Sequence, residues 1–178
     1  QQPSVLPAPK ELSWQQGHFT LSECRTIVAS DPATIRQAVT LQNELAEMGR
    51  IMTIENKLPV DQPAIVLSAE KVEAPSGKDE AYRIDVKNDR IMIRANTGHG
   101  LFNALQSLHQ LMRDGSMVDN CSLRDWPSFS FRGYMVDVGR NYQSIPLLKE
   151  QISVMARYKL NVFHLHLTEN VAWRLESK

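Results

Sequence analysis

Hydrophobic and polar residues alternate in two adjacent runs, Tyr82, Ile84 and Val86 and then Ile91 and Ile93. A period of two is typical of a strand that buries one face. Asn88-Asp89 lies between the runs and predicts the turn of a β-hairpin. Short apolar runs predict further strands at 51–54 and 64–68, and residues 14–19 predict a strand, a turn and a second strand.

Apolar residues recur with helical spacing in three segments. Asp31-Pro32 begins the first, because Asp caps a helix and Pro suits its first turn, and Gly49 is a plausible end. The second runs from Gly98 to Arg113, and the third begins at Ser144-Ile145-Pro146. The buried stripe predicted for the third helix is Leu148, Ile152, Met155 and Ala156.

The order of these elements predicts two domains. Strands and two helices interleave over residues 1–125, which predicts an α+β domain with helices packed on one sheet. Trp126-Pro127 interrupts the periodic pattern and predicts the boundary between the two domains. The second domain is therefore expected to begin at residue 126 and continue to 178. There, strands at 134–139 and 161–167 flank the third helix. A strand-helix-strand of this length predicts a β-α-β unit with parallel strands.

Polar residues interrupt both strands of this β-α-β unit. Asp137 lies in the first strand, and His164 and His166 lie in the second, on one face. Burying such groups without partners costs about 1–3 kcal/mol or more, so partners are expected. Two interpretations stay open: a hydrogen-bonded core network, or support for an active site. The two histidines could also bind a metal, but no third ligand is evident and we expect none.

More polar residues follow the carboxyl ends of the two strands. Arg140, Asn141 and Tyr142 follow the first strand, and Thr168, Glu169 and Asn170 follow the second. Ligands bind at this end of the strands in parallel α/β folds. Arginine donates to sugar hydroxyls and a carboxylate accepts from them, so this end suits a sugar.

Composition narrows the possible partners. Twenty basic and twenty acidic residues give a formal net charge of zero, which argues against a nucleic-acid partner. No apolar run approaches the roughly 20 residues that cross a bilayer, so no membrane span is expected. Cys24 and Cys121 lie far apart in the sequence. We expect two buried thiols rather than a disulfide.

Two blocks in the second domain carry a family resemblance. Residues 131–142, FRGYMVDVGRNY, resemble the first-strand signature of glycoside hydrolase family 20, and residues 158–168, YKLNVFHLHLT, resemble its second-strand signature. Upstream, residues 98–108 resemble the last helix of the family's non-catalytic domain, and Asp125-Trp126-Pro127 resembles the link into its barrel.

The resemblance implies an α+β non-catalytic domain followed by the first β-α-β of a (β/α)8 barrel. It also implies a β-N-acetylhexosaminidase without a cofactor, acting on glycans with terminal β-linked N-acetylglucosamine or N-acetylgalactosamine. The family retains configuration by substrate assistance: the acetamido oxygen of the sugar attacks the anomeric carbon while a Glu acts as general acid. The family's usual export implies a periplasmic, cell-surface or secreted protein.

The resemblance also assigns roles to single residues. Arg140 matches the arginine that binds hydroxyls of the terminal sugar. Glu169 stands where the family usually has the Asp that orients a later histidine behind the general acid, and Asn170 stands where a second Asp is common. Asp137 and His166 match positions that support the site.

The family's general acid and its neighbouring Asp lie further along than Lys178. The resemblance therefore implies that these 178 residues alone do not hydrolyse substrate. Two strands cannot close a barrel, so we expect disorder beyond about residue 130 or self-association through an unpaired strand edge. The alternative function is a non-enzymatic module that binds a glycan or a partner. Related hexosaminidase-like families fit less well, because they lack the Asp-x-x-Arg and His-x-His blocks.

Overall fold

A computed structural model describes residues 2–113 and 115–176 of the chain. The chain divides into two compact units, Gln1–Ser128 and Phe129–Lys178. The boundary predicted from the sequence, between 125 and 126, lies just before this division. Each unit has its own sheet, and the two are described in turn.

Unit 1 is built on one mixed sheet. Its strands are β1 (Glu11–Thr20), β2 (Thr26–Val28), β3 (Thr53–Glu55), β4 (Ala64–Ser68), β5 (Tyr82–Lys87), β6 (Arg90–Ala95), β7 (Met112–Arg113) and β8 (Met117–Asp125). Their order is β1-β8-β5-β6-β4-β2-β3, and β7 pairs with β8. Strands β3, β2, β4 and β6 are parallel, and the remaining pairings are antiparallel. The predicted hairpin at 82–93 is confirmed as β5 and β6.

Strand β8 lies between β1 and β5 and was not predicted from the sequence. Its sequence, MVDNCSLRD, contains three buried apolar or sulfur side chains, Val118, Cys121 and Leu123. Asn120 is buried beside them, because its side-chain amide donates to the Gln16 carbonyl and to Asn88. A polar residue among the buried positions breaks the alternation that would have marked the strand.

Strand β1 corrects the prediction of a strand, a turn and a second strand at 14–19. It is one strand whose pairing with β8 shifts register between Trp14 and His18. Gly17 lies in this bulge with φ +97°, and a Cβ there would fall 2.4 Å from the Asn88 Oδ1. The glycine therefore produces a β-bulge that stays paired instead of a turn.

Two helices cover one face of this sheet. Helix α1 (Pro32–Glu47) begins at Asp31, whose carboxylate accepts from the backbone N–H groups of Ala33 and Thr34. Helix α2 (Gly98–Leu111) begins at Thr97, and its apolar stripe is buried at Leu101, Leu105 and Leu108. Both helices pack into one core with the inward side chains of the strands. This confirms the predicted sheet with two helices.

Both cysteines are free and lie in this core. Burial raises the pKa of the Cys24 thiol. Burial, with the charges of Asp85 and Asp119, raises the pKa of Cys121 to about 12. Both side chains therefore stay protonated near neutral pH and act as small apolar residues.

Unit 2 begins with a parallel strand pair. Its elements are β9 (Gly133–Asp137), helix α3 (Ile145–Arg157), β10 (Val162–His166), and the short strands β11 (Thr168–Glu169) and β12 (Ala172–Trp173). Strand β10 pairs in parallel with β9, from Val162 opposite Gly133 to His166 opposite Asp137. The predicted strand-helix-strand with parallel strands is therefore confirmed.

The buried stripe predicted for α3 is only partly correct. Met155 is buried, but Ile152 is 48% exposed. In the described part of unit 2, the strands before and after α3 form a sheet of two, β9 and β10, which is too narrow to cover its whole apolar stripe. An apolar depression of about 460 Å³ remains, lined by α3 and by Tyr134, Tyr158 and Leu160. None of the described helices is long and apolar enough to span a membrane.

Candidate functional site

The parallel pairing of β9 and β10 brings their polar carboxyl ends together. Asp137 is the last residue of β9 and His166 is the last residue of β10, and the two are paired in register. Arg140 follows β9 by three residues, and Glu169 follows β10 by three residues. Asp137, His166 and Glu169 each offer a ligand atom within 4.8 Å of the others.

Asp137 fixes Arg140 through two contacts. Its Oδ1 accepts the backbone N–H of Arg140 at 2.9 Å, and its Oδ2 accepts the side-chain Nε–H at 2.5 Å. The hydrogen bond from that backbone N–H lowers the pKa of Asp137, and the guanidinium lowers it further. Asp137 is therefore a carboxylate near neutral pH, which orients the arginine at the strand end.

Glu169 approaches the same arginine from the other strand. Its Oε1 lies 3.7 Å from the Arg140 Nη2 and 3.4 Å from the His166 Nε2. Gly139 permits this approach, because a Cβ there would lie 3.2 Å from the Glu169 Cβ, the Glu169 backbone nitrogen and the Asp137 Oδ1. The close packing of the two strand ends therefore depends on a residue without a side chain.

His166 has a defined proton arrangement. Its Nε2 lies 2.7 Å from the Thr168 carbonyl oxygen, and a carbonyl oxygen only accepts. Nε2 must therefore carry the hydrogen and donate it. Nε2, the ring nitrogen that lies 3.4 Å from Glu169, therefore has no lone pair to offer a metal ion. The two carboxylates of the group already share the Arg140 guanidinium. The positive charge at this site is thus supplied by arginine, and the residues present do not favour a metal.

The structure brings together four of the predicted residues, Asp137, Arg140, His166 and Glu169. Asn170 lies in the exposed turn between β11 and β12, and its backbone N–H donates to the Glu169 Oε2 at 3.3 Å. His164 is exposed on β10 and lies apart from this group. Trp173 and Arg174 were noted from the sequence as lying close behind the second strand, but no role was assigned to Arg174 or to Gly139. Gly139 could have been singled out as a glycine between two candidate polar residues, and Arg174 as the second cation behind the strand ends.

Family models match both parts of the chain. Residues 2–126 match the model described as glycosyl hydrolase family 20, domain 2, and residues 129–178 match the model of the family 20 catalytic domain. The chain belongs to glycosyl hydrolase family 20. The resemblance inferred from the two strand blocks is confirmed.

Family 20 proteins of known name are similar over almost the whole chain. An N,N'-diacetylchitobiase from Vibrio harveyi is 31% identical over 97% of this chain, and a β-N-acetylhexosaminidase from Cellulomonas fimi is 33% identical over 97%. The chain spans 19% of the length of the first relative and 36% of the second. It therefore corresponds to a minor part of these enzymes.

Solved family 20 structures are also similar over almost the whole of this chain, which again covers only a part of each. The exo-β-N-acetylglucosaminidase from Vibrio harveyi, in complex with N-acetylglucosamine, has a TM-score of 0.81 at 28% identity and covers 99% of this chain. The β-N-acetylhexosaminidase from Bacteroides fragilis has a TM-score of 0.78 at 26% identity and covers 97%. This chain covers 28% and 35% of those two structures.

Proposed function

We propose that this chain supplies the non-catalytic domain and the first β-α-β of a (β/α)8 catalytic barrel in a β-N-acetylhexosaminidase. The substrate is a glycan with a terminal β-linked N-acetylglucosamine or N-acetylgalactosamine. Membership of family 20 and the names of the relatives support this function. The parallel β9-α3-β10 arrangement agrees with the first elements of a barrel.

The main support for the proposal is that the Arg140 side chain is both oriented and exposed. Its guanidinium is held by Asp137 and approached by Glu169, yet its side chain remains 65% exposed. An arginine that is oriented on one side and open on the other can donate to hydroxyl groups of a ligand. Because Arg140 follows β9, those donors lie at the strand ends where ligands bind in such folds.

Glu169, His166 and Asn170 complete the proposed role of the segment. Glu169 orients a histidine from a later part of the barrel, as the resemblance implies. His166 lies beside Glu169, and Asp137 holds Arg140 in place. Asn170 supports the turn that carries Glu169. The chemistry is substrate-assisted and needs no cofactor: the acetamido oxygen attacks, and a Glu from outside residues 1–178 protonates the leaving group. On this proposal the 178 residues alone do not hydrolyse substrate.

The test replaces Arg140 in the full-length protein that contains this segment. For Arg140→Met we expect a roughly tenfold to hundredfold fall in kcat/KM on a nitrophenyl N-acetyl-β-glucosaminide, because a charged donor to the sugar is lost. Lys149→Met is the matched control, since Lys149 is exposed on α3 and lies away from the strand ends. No hydrolysis by the unaltered full-length protein, or equal activity of Arg140→Met and the control, would contradict the proposal.

We also propose that the protein is exported, to the periplasm, the cell surface or the medium, as is usual for the family. For the 178-residue chain alone, we propose self-association through the edges of the β9-β10 sheet and the apolar depression beside α3, which includes Tyr134 at 43% exposure. Sedimentation velocity should show concentration-dependent dimers or larger species. A single monomeric boundary at every concentration would disprove this association.

A further inference from the structure

The turn after β9 determines where Arg140 projects. Residues 138–142 form this turn, and the backbone N–H of Asn141 donates to the Asp137 carbonyl at 3.3 Å. Asp137 holds the arginine side chain and its backbone N–H, as described above. On the distal side of the turn, Tyr142 is 68% exposed, so burial alone holds it weakly.

Arg174 supplies contacts on both sides of this turn. Its Nε donates to the Val138 carbonyl at 2.9 Å, on the side of β9. Its guanidinium carbon lies 5.5 Å from the centroid of the Tyr142 ring, on the far side of Arg140. Its backbone N–H donates to the Leu167 carbonyl at 3.1 Å, which ties the β11-β12 hairpin to the end of β10. Arg174 thus joins residues that flank Arg140 in the sequence to the neighbouring strand.

The hydrogen bond to Val138 extends the strand pairing beyond the end of β10. The backbone N–H of Val138 donates to the His166 carbonyl at 3.0 Å, as in the parallel ladder. In a longer ladder, the Val138 carbonyl would accept from the backbone N–H of Thr168. β10 ends at His166, and the side chain of Arg174 donates to this carbonyl. An arginine suits the position, because its planar group can donate and lie over an aromatic ring at once.

We propose that Arg174 is a positioning residue for Arg140. It fixes the turn from which Arg140 projects and so places the sugar-binding guanidinium, without itself touching the substrate. This role rests on the proposed function of Arg140 as the residue that binds hydroxyls of the terminal sugar.

The experiment compares Arg174→Met, Arg174→Lys, Arg140→Met and the Arg174→Met/Arg140→Met double variant in the full-length protein. We expect Arg174→Met to lower kcat/KM roughly tenfold to hundredfold through misplacement of Arg140, mostly as a rise in KM. Arg174→Lys keeps one donor and should recover part of the loss. In the double variant the two losses should not multiply, because both act through one guanidinium. Lys149→Met is again the matched control.

Hydrogen exchange of the Arg140 and Asn141 amides gives a second measurement that does not need activity. Arg174→Met should speed exchange at these two amides while the amides of β4 and β6 stay protected. Multiplicative losses in the double variant, or unchanged exchange at Arg140 and Asn141, would overturn the role of Arg174. An inactive unaltered protein in which Arg174→Met still speeds exchange would contradict the proposed function and leave the positioning contact standing. If Arg174→Met fails to fold, Arg174→Lys is read in the same way.

Discussion

Both units contain an aspartate held by arginine, but the two clusters differ in how far the arginine side chain is exposed to solvent. In unit 1, Asp85 accepts from Arg83 at 2.8 and 2.9 Å, from Arg94 at 2.9 Å and from the Ser122 hydroxyl at 2.7 Å. Arg83 also donates to Ser122, and Arg94 also donates to Glu70. Each of these two arginines therefore donates to two side chains on the same face of the sheet.

In unit 2, Arg140 has the same chemistry at the edge of a smaller sheet. Its side chain is 65% exposed, against 44% for Arg83 and 31% for Arg94. The difference teaches that an ion pair alone does not mark a functional site. An arginine that is oriented and largely open to solvent is better suited to bind, because it can exchange water for a ligand. On the proposed function, Asp85 contributes to stability, and Asp137 contributes to binding by holding Arg140.

The largest expected effect is on the free energy of unfolding, and it compares one helical apolar side chain in each unit. Leu105 is fully buried in the core of unit 1, so Leu105→Ala should lower the free energy of unfolding by about 2–5 kcal/mol. Ile152 occupies a similar helical stripe in unit 2 but is 48% exposed, so Ile152→Ala should change it by less than about 0.5 kcal/mol. Urea unfolding of the 178-residue chain, followed by circular dichroism, measures both. Equal losses for the two variants would contradict the difference in burial between Leu105 and Ile152.

The next effect separates the two aspartates. Asp85→Asn should lower the free energy of unfolding by about 1–3 kcal/mol at pH 7, because Arg83 and Arg94 lose a charged acceptor. Asp137→Asn should leave the unfolding of unit 1 unchanged and, in the full-length protein, lower kcat/KM through Arg140. Urea midpoints and kinetics on the two variants measure the contrast. The contrast would be refuted if Asp85→Asn lowered kcat/KM while Asp137→Asn lowered the urea midpoint of unit 1.

The pH dependence of Asp85 gives the control for this contrast. Burial raises the pKa of Asp85, but the hydrogen bonds from Arg83 and Ser122 and the charges of both arginines outweigh it and lower the pKa. A lowered pKa means that the stabilisation is present above the unfolded value of about 4 and is lost as the pH falls below it. The difference between the unaltered chain and Asp85→Asn should therefore shrink between pH 5 and about pH 3. A constant difference would show that the charge of Asp85 is not its source.

Much of unit 1 could be predicted from the sequence where local signals agree with burial. The hairpin of β5 and β6 shows strict alternation, and Asp31 with Pro32 marks the start of α1, so both were found. Strand β8 was not predicted because Asn120 lies at a buried position, where its side-chain NH2 group donates to Gln16 and Asn88, which are distant in the sequence. Such partners cannot be seen in a local pattern.

The candidate site, too, could be predicted only where local signals were enough. The polar residues after β9 and β10 could be identified because parallel strands bring their carboxyl ends together. The role of Gly139 depends on how closely Glu169 approaches, and the contact of Arg174 with Val138 depends on where β10 ends. Both follow from the packing of two strand ends and leave no spacing rule in the sequence. The exposure of Ile152 was missed for a related reason, since helical periodicity reports an apolar stripe and not whether neighbours cover it.

The pairing of β1 with β8 has a consequence for the order in which unit 1 can assemble. Glu11 lies opposite Arg124, so the first strand of the chain reaches its partner only across more than one hundred intervening residues. During synthesis the β5-β6 hairpin and the parallel strands beside it can form early, while β1 waits until β8 has left the ribosome. Until then β1 has no partner strand and the side of β5 that pairs with β8 is an exposed edge, so these two strands are the part of unit 1 that is open to wrong pairing.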